Sequence, residues 1–394
     1  MHECKVCSSM TSCVQDKNLN MLTPEAYPLS GNLALQCCDK CGFISNLSGD
    51  SPKAYDAYYQ KLNKHVARSS PQLELQDKQY FSSLLKYIQE NSHLKILDAS
   101  ILDYGAGAHI FSDICLQFGA KEVLNFDVGM ESFGGRHFDL VVATHTFEHL
   151  PNPLEDLRRL VDSVKDGGIV AISTPDASAY EDCYYGPYNH FDLEHINHFS
   201  PQSMNRLCQE VGLDVLAIRQ GERLVAEGLA YSDLLIVATK RTPSKEQLIA
   251  VPSFHASEFL CDFLTKNGTD FEQTTRDIKD ILSEAANFPR AFVAIYGLSS
   301  YAFRVMGFMK NAELLDKVDF FADSDPRLTG MHLFSDKKVL SRFEFESRIE
   351  ENPRSRFFVI VASVNSHRIL DMFASSEKMR NCIVRTVGPS TKNR

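Results

Sequence analysis

The apolar residues of this 394-residue chain change their spacing along its length, and the changes divide it. In the first fifty residues apolar runs are short and turn formers are common. Tyr80, Phe81, Leu84, Leu85 and Ile88 then recur at helical spacing, which predicts an amphipathic helix over 73–90. From about 100 to 240, β-like runs at 100–103, 122–127, 138–143, 168–173 and 234–238 alternate with helical patterns. Such alternation predicts an α/β domain around a mostly parallel sheet. Thr242-Pro243-Ser244 reads as a linker, and a helical stretch over 257–286 follows, with a break expected near Asn267-Gly268. A second α/β pattern has strands at 291–296, 318–322 and 357–362. No repeat of 20–50 residues is visible. The expected domains are 1–70, 71–242 and 243–394.

Composition narrows the class. With 44% apolar and 23% charged residues the chain reads as an ordinary soluble globular protein. A net charge of −10 and the lack of a Lys/Arg-rich block argue against a nucleic-acid partner. No run approaches the ~18 apolar residues of a membrane helix, and Met1-His2-Glu3-Cys4 has no basic, then apolar leader. The expectation is a cytoplasmic protein, monomeric or homodimeric.

In a reducing compartment the eleven cysteines are better read as metal ligands or free thiols than as disulfides. Cys4-Lys5-Val6-Cys7 and Cys38-Asp39-Lys40-Cys41 form two CxxC pairs, followed by Gly42. Two such knuckles supply a tetrahedral sulfur site that suits structural Zn²⁺, with Cys13 and Cys37 as competing ligands. Four cysteines close the coordination shell, so the zinc is expected to hold structure and not to catalyse.

Ile101-Leu102-Asp103-Tyr104 runs into Gly105-Ala106-Gly107, and a helical pattern starts at Ile110. The glycines let the backbone turn sharply and approach a ligand. About twenty residues on, a second strand ends at Asp127, whose carboxylate could accept from the hydroxyls of a ribose. These features describe a pocket for an adenosine-type ligand. With the run from Phe138 to Leu150 and the hydrophobic strand after Asp166-Gly167-Gly168, the series resembles a class I S-adenosylmethionine-dependent methyltransferase. An NAD site would more usually carry GxGxxG, where this chain reads Ala108-His109-Ile110 after Gly107. The resemblance implies S-adenosylmethionine as cofactor, held by Asp103, Tyr104, Gly105, Ala106, Gly107, Asp127 and Thr144. It assigns Glu148 and His149 to the scaffold. One departure stands out. The segment between Asp127 and Phe138, with Gly129, Gly134 and Gly135, is too short for the family's usual helix and strand over the adenine.

A stretch dense in Tyr and His follows the next strand: Tyr184, Tyr185, Tyr188, His190, Glu194, His195 and His198. It reads as a substrate loop, ending where Ser200 and Pro201 start a helix. The cysteine-rich segment, central domain and C-terminal Rossmann-like domain together resemble the zinc-containing sugar C-methyltransferases. Glu194, His195, Phe199 and Ser200 match that family's motif; Asp192-Leu193 replaces its Tyr-His pair and His198 its later Tyr. The tyrosines 55, 58 and 59 resemble its crossing into the catalytic domain. The resemblance implies a nucleotide-linked keto-deoxysugar substrate, methylated at carbon through an enolate. His195 is then the candidate base, Glu194 its orienting partner or a substrate contact, and His198 or Tyr188 the oxyanion partner. O-methylation of a sugar or other small metabolite, and a non-catalytic protein that kept the fold, remain open alternatives.

Overall fold

The computed structural model describes residues 2–17, 33–47, 51–61, 71–127, 133–226, 229–240, 249–333, 337–363 and 366–388. Gly129 and the linker Thr242-Pro243-Ser244 lie outside them. The chain forms two compact units: residues 1–16, 34–183 and 194–261 make the first, and 17–33, 184–193 and 262–394 the second.

The first unit begins with strands β1 (Ser12–Lys17), β2 (Leu33–Cys38) and β3 (Phe43–Asn46) and helix α1 (Pro52–Lys61). Helix α2 (Pro71–Glu90) leads into strand β4 (Ser100–Tyr104), helix α3 (Ile110–Gln117), and strands β5 (Glu122–Phe126) and β6 (Phe138–Thr144). Helix α4 (Pro153–Asp162), strand β7 (Val164–Thr174), the short strand β8 (Asn197–His198), helix α5 (Pro201–Glu210) and strands β9 (Leu213–Ala226) and β10 (Leu229–Lys240) complete it. The main sheet has the order β5-β4-β6-β7-β10-β9. β4 to β7 pair in parallel, and the last two strands run antiparallel at one edge.

The central strands are apolar throughout because both faces are covered. Ile101, Leu140, Val142 and Ala171 pack under Phe81, Leu84 and Ile88 of α2 and Phe111 of α3. Leu102, Val141 and Ile172 face Leu157 and Leu160 of α4 and Met204 and Leu207 of α5, in a core that also takes in Cys4, Val6 and Cys41. Fully burying one such aliphatic side chain is worth about 1.5–3 kcal/mol. Helix α5 starts as expected: Pro201 occupies its first turn, and Ser200 and Ser203 cap each other's backbone reciprocally. β9 had no counterpart in the sequence reading. It is an edge strand carrying Arg219, Glu222 and Arg223, so its apolar run is broken.

Chain order fixes where a ligand would bind. β5 lies on one side of β4, and β6 returns to the other. The crevice at the carboxyl ends of β4 and β6 is a topological switch point. The glycine loop and the His145–His149 turn both leave the sheet there.

Helix α6 (Ala256–Ala286) runs 31 residues unbroken through Asn267-Gly268, correcting the expected break. Asn267 is fully buried; its amide donates back to the Phe263 carbonyl, and its carbonyl accepts the Tyr188 N–H. Those bonds and the burial of Phe263 and Leu264 outweigh the ~1 kcal/mol penalty of a mid-helix glycine. The second unit continues with β11 (Ala291–Tyr296), α7 (Ser300–Asn311), β12 (Phe320–Asp323), β13 (His332–Leu333), β14 (Lys337–Ser341), α8 (Arg342–Glu351), β15 (Arg356–Val361), α9 (Ser366–Ser375) and β16 (Ile383–Thr386). Its sheet order is β13-β14-β12-β11-β15-β16, parallel except for β13. No helix among the described residues is long and apolar enough to cross a membrane.

Candidate active site and cysteine cluster

The two CxxC turns converge. Cys4 Sγ lies 3.7 Å from Cys41 Sγ and Cys7 Sγ 3.5 Å from Cys38 Sγ, and all four sulfurs fall within 4.8 Å of one another. A tetrahedral ion with bonds of about 2.3 Å spaces its sulfurs about 3.8 Å apart, so the set fits Zn²⁺. Gly42, at φ +73°, closes the second turn through its N–H to the Cys38 carbonyl. Burial pushes the Cys38 thiol up to about 11, so four thiolates need a compensating dication to coexist here. Cys37 is buried away from the cluster, its sulfur 4.0 Å from the Ser12 carbonyl. The side chain of Cys13 is outside the described residues.

After β4 the chain turns through Gly105 (φ +80°) and Gly107 (φ +50°) into α3. The N–H groups of Gly105 and Ala106 return to the Phe126 carbonyl at the end of β5, at 2.8 and 3.3 Å. Gly105 has a second reason to lack a side chain: a Cβ there would lie 2.3 Å from Thr146 Oγ1. Asp127 is exposed at the rim and accepts the Gly107 N–H at 3.3 Å. Asp103 is buried beneath the loop, where Ser112 donates to it at 2.9 Å and burial raises its carboxyl to about 7. Tyr104 stacks on Phe126 at 5.3 Å, with Phe133 against Phe126 at 4.7 Å. Thr144 ends β6, half-buried, and its carbonyl accepts from Thr146 at 3.2 Å.

Beyond Thr144 the chain passes through His145 at φ +49° into a single 3-10 turn, Phe147–His149. His145 bridges two buried carboxylates, with Nε2 3.1 Å from Asp233 and Nδ1 3.3 Å from Glu148. Burial and the Arg223 charge work against its protonation, but the two carboxylates outweigh them and raise it. Burial likewise opposes the charge on Glu148; the hydrogen bond from His145 and the neighbouring histidines prevail and hold its carboxyl at about 2. Tyr80 donates to the same Asp233 oxygen at 2.9 Å. Burial lowers His149. Its Nδ1 lies 2.9 Å from the Glu194 carbonyl; a carbonyl only accepts, so Nδ1 carries the proton and Nε2 keeps its lone pair. Nε2 faces Glu148 Oε1 at 3.9 Å. The His195 ring stands 4.9 Å from that of His149, both half-buried.

Glu194 is buried and takes the Tyr58 hydroxyl, so its carboxylate is committed to α1. His198 is buried in β8 with Nδ1 2.9 Å from the Tyr180 hydroxyl. Tyr188 belongs to the second unit, where its ring packs on Phe271 and Phe308. The stretch read as one substrate loop is thus divided: residues 184–193 belong to the second unit and 194–200 to the first. Glu148, His149, His145 and Asp233, which the sequence reading left outside the chemistry, form a contact chain that reaches His195 through the His149 ring. The Glu148-His149 pair before Pro151 was the only cue in the sequence.

Residues 76–218 match the family described as a methyltransferase domain. Among solved structures, one from Listeria monocytogenes, described as an S-adenosylmethionine-dependent methyltransferase, aligns with TM-score 0.32 and 14% identity over 41% of this chain and 99% of its own. The PH0226 protein of Pyrococcus horikoshii aligns with TM-score 0.33 and 14% identity over 47% and 99%. A Haloferax volcanii methyltransferase complex with the Trm112 activator gives 0.33 and 12% over 49% and 96%. No curated protein matches the sequence. Residues 76–218 thus form a methyltransferase domain.

Proposed function

We propose that the chain transfers a methyl group to a small metabolite whose acceptor atom must first lose a proton, most specifically a carbon beside the ketone of a nucleotide-linked deoxysugar. The observation that carries this reading is the meeting of two loops at one switch point. The Gly105–Gly107 turn is backed by Thr146, and the turn bearing Thr146 continues directly into the Glu148-His149 pair beside His195. Asp127 would hold the ribose of the cofactor and Gly105–Gly107 its amino-acid end. Asp103, Tyr104 and Thr144 would support that cradle from below, through burial, stacking and the strand end.

His195 is the group we assign to receive the acceptor's proton; an imidazole titrates near working pH. Glu148 takes the orienting role that the sequence suggested for Glu194. The bound cofactor would supply the sulfonium methyl that the enolate carbon takes, with S-adenosylhomocysteine as the leaving group. Zn²⁺ at Cys4, Cys7, Cys38 and Cys41 is structural in this reading.

The test is calorimetry with S-adenosylmethionine, followed by product analysis with a keto-sugar nucleotide. Methyl on carbon supports the proposal. Methyl on oxygen moves the enzyme to the O-methyltransferases. Failure of the folded, zinc-loaded protein to bind the cofactor overturns the reading.

A further inference from the structure

Glu148, His149 and His195 are not only a proton-handling group. One ligand atom from each lies within 4.8 Å of the others. Two imidazoles and a carboxylate are a ligand set for divalent transition metals, and three protein ligands leave coordination positions for substrate or water. The set is prepared for that use in three ways. His149 donates Nδ1–H to the Glu194 carbonyl, with the Tyr59 hydroxyl 2.9 Å from the same nitrogen, so its bare Nε2 points at Glu148. Glu148 is 1% exposed, and its Oε2 has no hydrogen-bond partner among the described residues. Oε1, the oxygen that faces His149 Nε2 at 3.9 Å, is anchored by His145, which Asp233 anchors in turn. Outer hydrogen bonds of this kind fix the ring tautomer and carboxylate orientation at metal sites.

We propose that Glu148, His149 and His195 bind a divalent transition cation, of the Mn²⁺, Fe²⁺ or Zn²⁺ class, at the methyl-acceptor site. This rests on the methyl-transfer reading above and deepens it. The ion leaves coordination positions open, and the acceptor's carbonyl or hydroxyl oxygen fills one. With the ion bound His195 would be a ligand, and the ion would supply Lewis acidity at the acceptor oxygen and a bound hydroxide able to take the proton and become water; without it His195 keeps the role of proton acceptor assigned above. This site is separate in chemistry from the four cysteines: it has no thiolate, and it is only partly closed.

The experiment is a Mn²⁺ titration of the full-length protein carrying a single Zn²⁺ per chain by metal analysis, with the Glu148/His149/His195 set left metal-free, followed by loss of the free-ion electron paramagnetic resonance signal. Mn²⁺ binds most weakly in the divalent series, so it does not displace zinc from the thiolates. The expected result is one Mn²⁺ per chain, with affinity lowered ~10–100-fold by His145→Gln, which touches the ion only through Glu148. Loss of the bound ion is expected in Glu148→Gln and His195→Ala; the second change lies at a half-exposed side chain and serves if the first does not fold. No bound Mn²⁺, or binding that these variants leave unchanged, overturns the proposal. Cofactor calorimetry on the same samples separates the outcomes. Binding of S-adenosylmethionine without Mn²⁺ removes the metal site alone, whereas absence of cofactor binding removes the methyl-transfer reading.

Discussion

Replacing Gly105 by alanine tests the cradle most directly. The residue sits at φ +80°, a conformation that costs an L-residue about 1–2 kcal/mol. The new Cβ would lie 2.3 Å from Thr146 Oγ1 and 2.8 Å from its Cγ2. Thr146 is not free to swing away unopposed, since its hydroxyl lies 3.2 Å from the carbonyls of both Tyr104 and Thr144. Displacing it loses a hydrogen bond worth about 1 kcal/mol and overpacks a tight turn at a further 1–3 kcal/mol. Gly105→Ala should therefore destabilise the first unit by about 3–6 kcal/mol. Thr146→Ala removes both clashing atoms, so in the double variant only the backbone term of about 1–2 kcal/mol should survive. Denaturant unfolding of the four proteins in the cycle gives the coupling, expected near 2 kcal/mol, well above the ~0.5 kcal/mol scatter of independent sites. Calorimetry with S-adenosylmethionine should show the affinity lost in Gly105→Ala and partly restored in the double variant. Additive effects, or a Gly105→Ala protein with unchanged stability, would refute the argument.

Removing the dication from the cysteine cluster with a chelator, or Cys38→Ser, should lower the melting temperature of the first unit; an unchanged melt would show the four sulfurs to be free thiols. His195→Ala should cut methyl transfer ~10²–10⁴-fold with cofactor affinity unchanged by calorimetry, and full activity would remove it from the chemistry. Glu148 titrates at about 2 in the fold against an ordinary 4.5, so its contribution is full above pH 4.5 and lost as pH falls towards 2; the shift corresponds to about 3 kcal/mol. His145 is raised above its ordinary 6.5, so its contribution is full below pH 6.5 and lost as pH rises through the shifted value. Melting temperature against pH should show both limbs, and Glu148→Gln should flatten the acid one.

The parts legible in the sequence were those that local chemistry dictates. Two CxxC knuckles have few other uses, and a strand ending in Gly105-Ala106-Gly107 needs backbone that only glycine readily supplies. The parts that escaped depend on partners distant along the chain. His145 and Asp233 are 88 residues apart, and Tyr58 and Glu194 are 136 apart; no spacing rule joins them. Helix α6 was expected to break at Asn267-Gly268 because propensity is local, whereas burial and the bond to Tyr188 are not. The aromatic stretch from Tyr184 to His190 read as a loop for its polarity, yet most of it is buried, since large rings gain more from packing than from solvent exposure.

One backbone feature makes the cysteine segment more than a prop. β3, which follows Cys41 directly, pairs with β8 through Ile44 and His198. Just before that pair, Ile196 is gripped twice: its carbonyl accepts from Asn46 at 2.9 Å and its N–H donates to the Glu148 carbonyl at 2.9 Å. The residue next to His195 is therefore held to the strand that follows Cys41 on one side and to the Phe147–His149 turn on the other. Any displacement of the four sulfurs would thus be carried along β3 to the backbone beside His195, so under the reading proposed above an imidazole would lose its aim before the fold is lost.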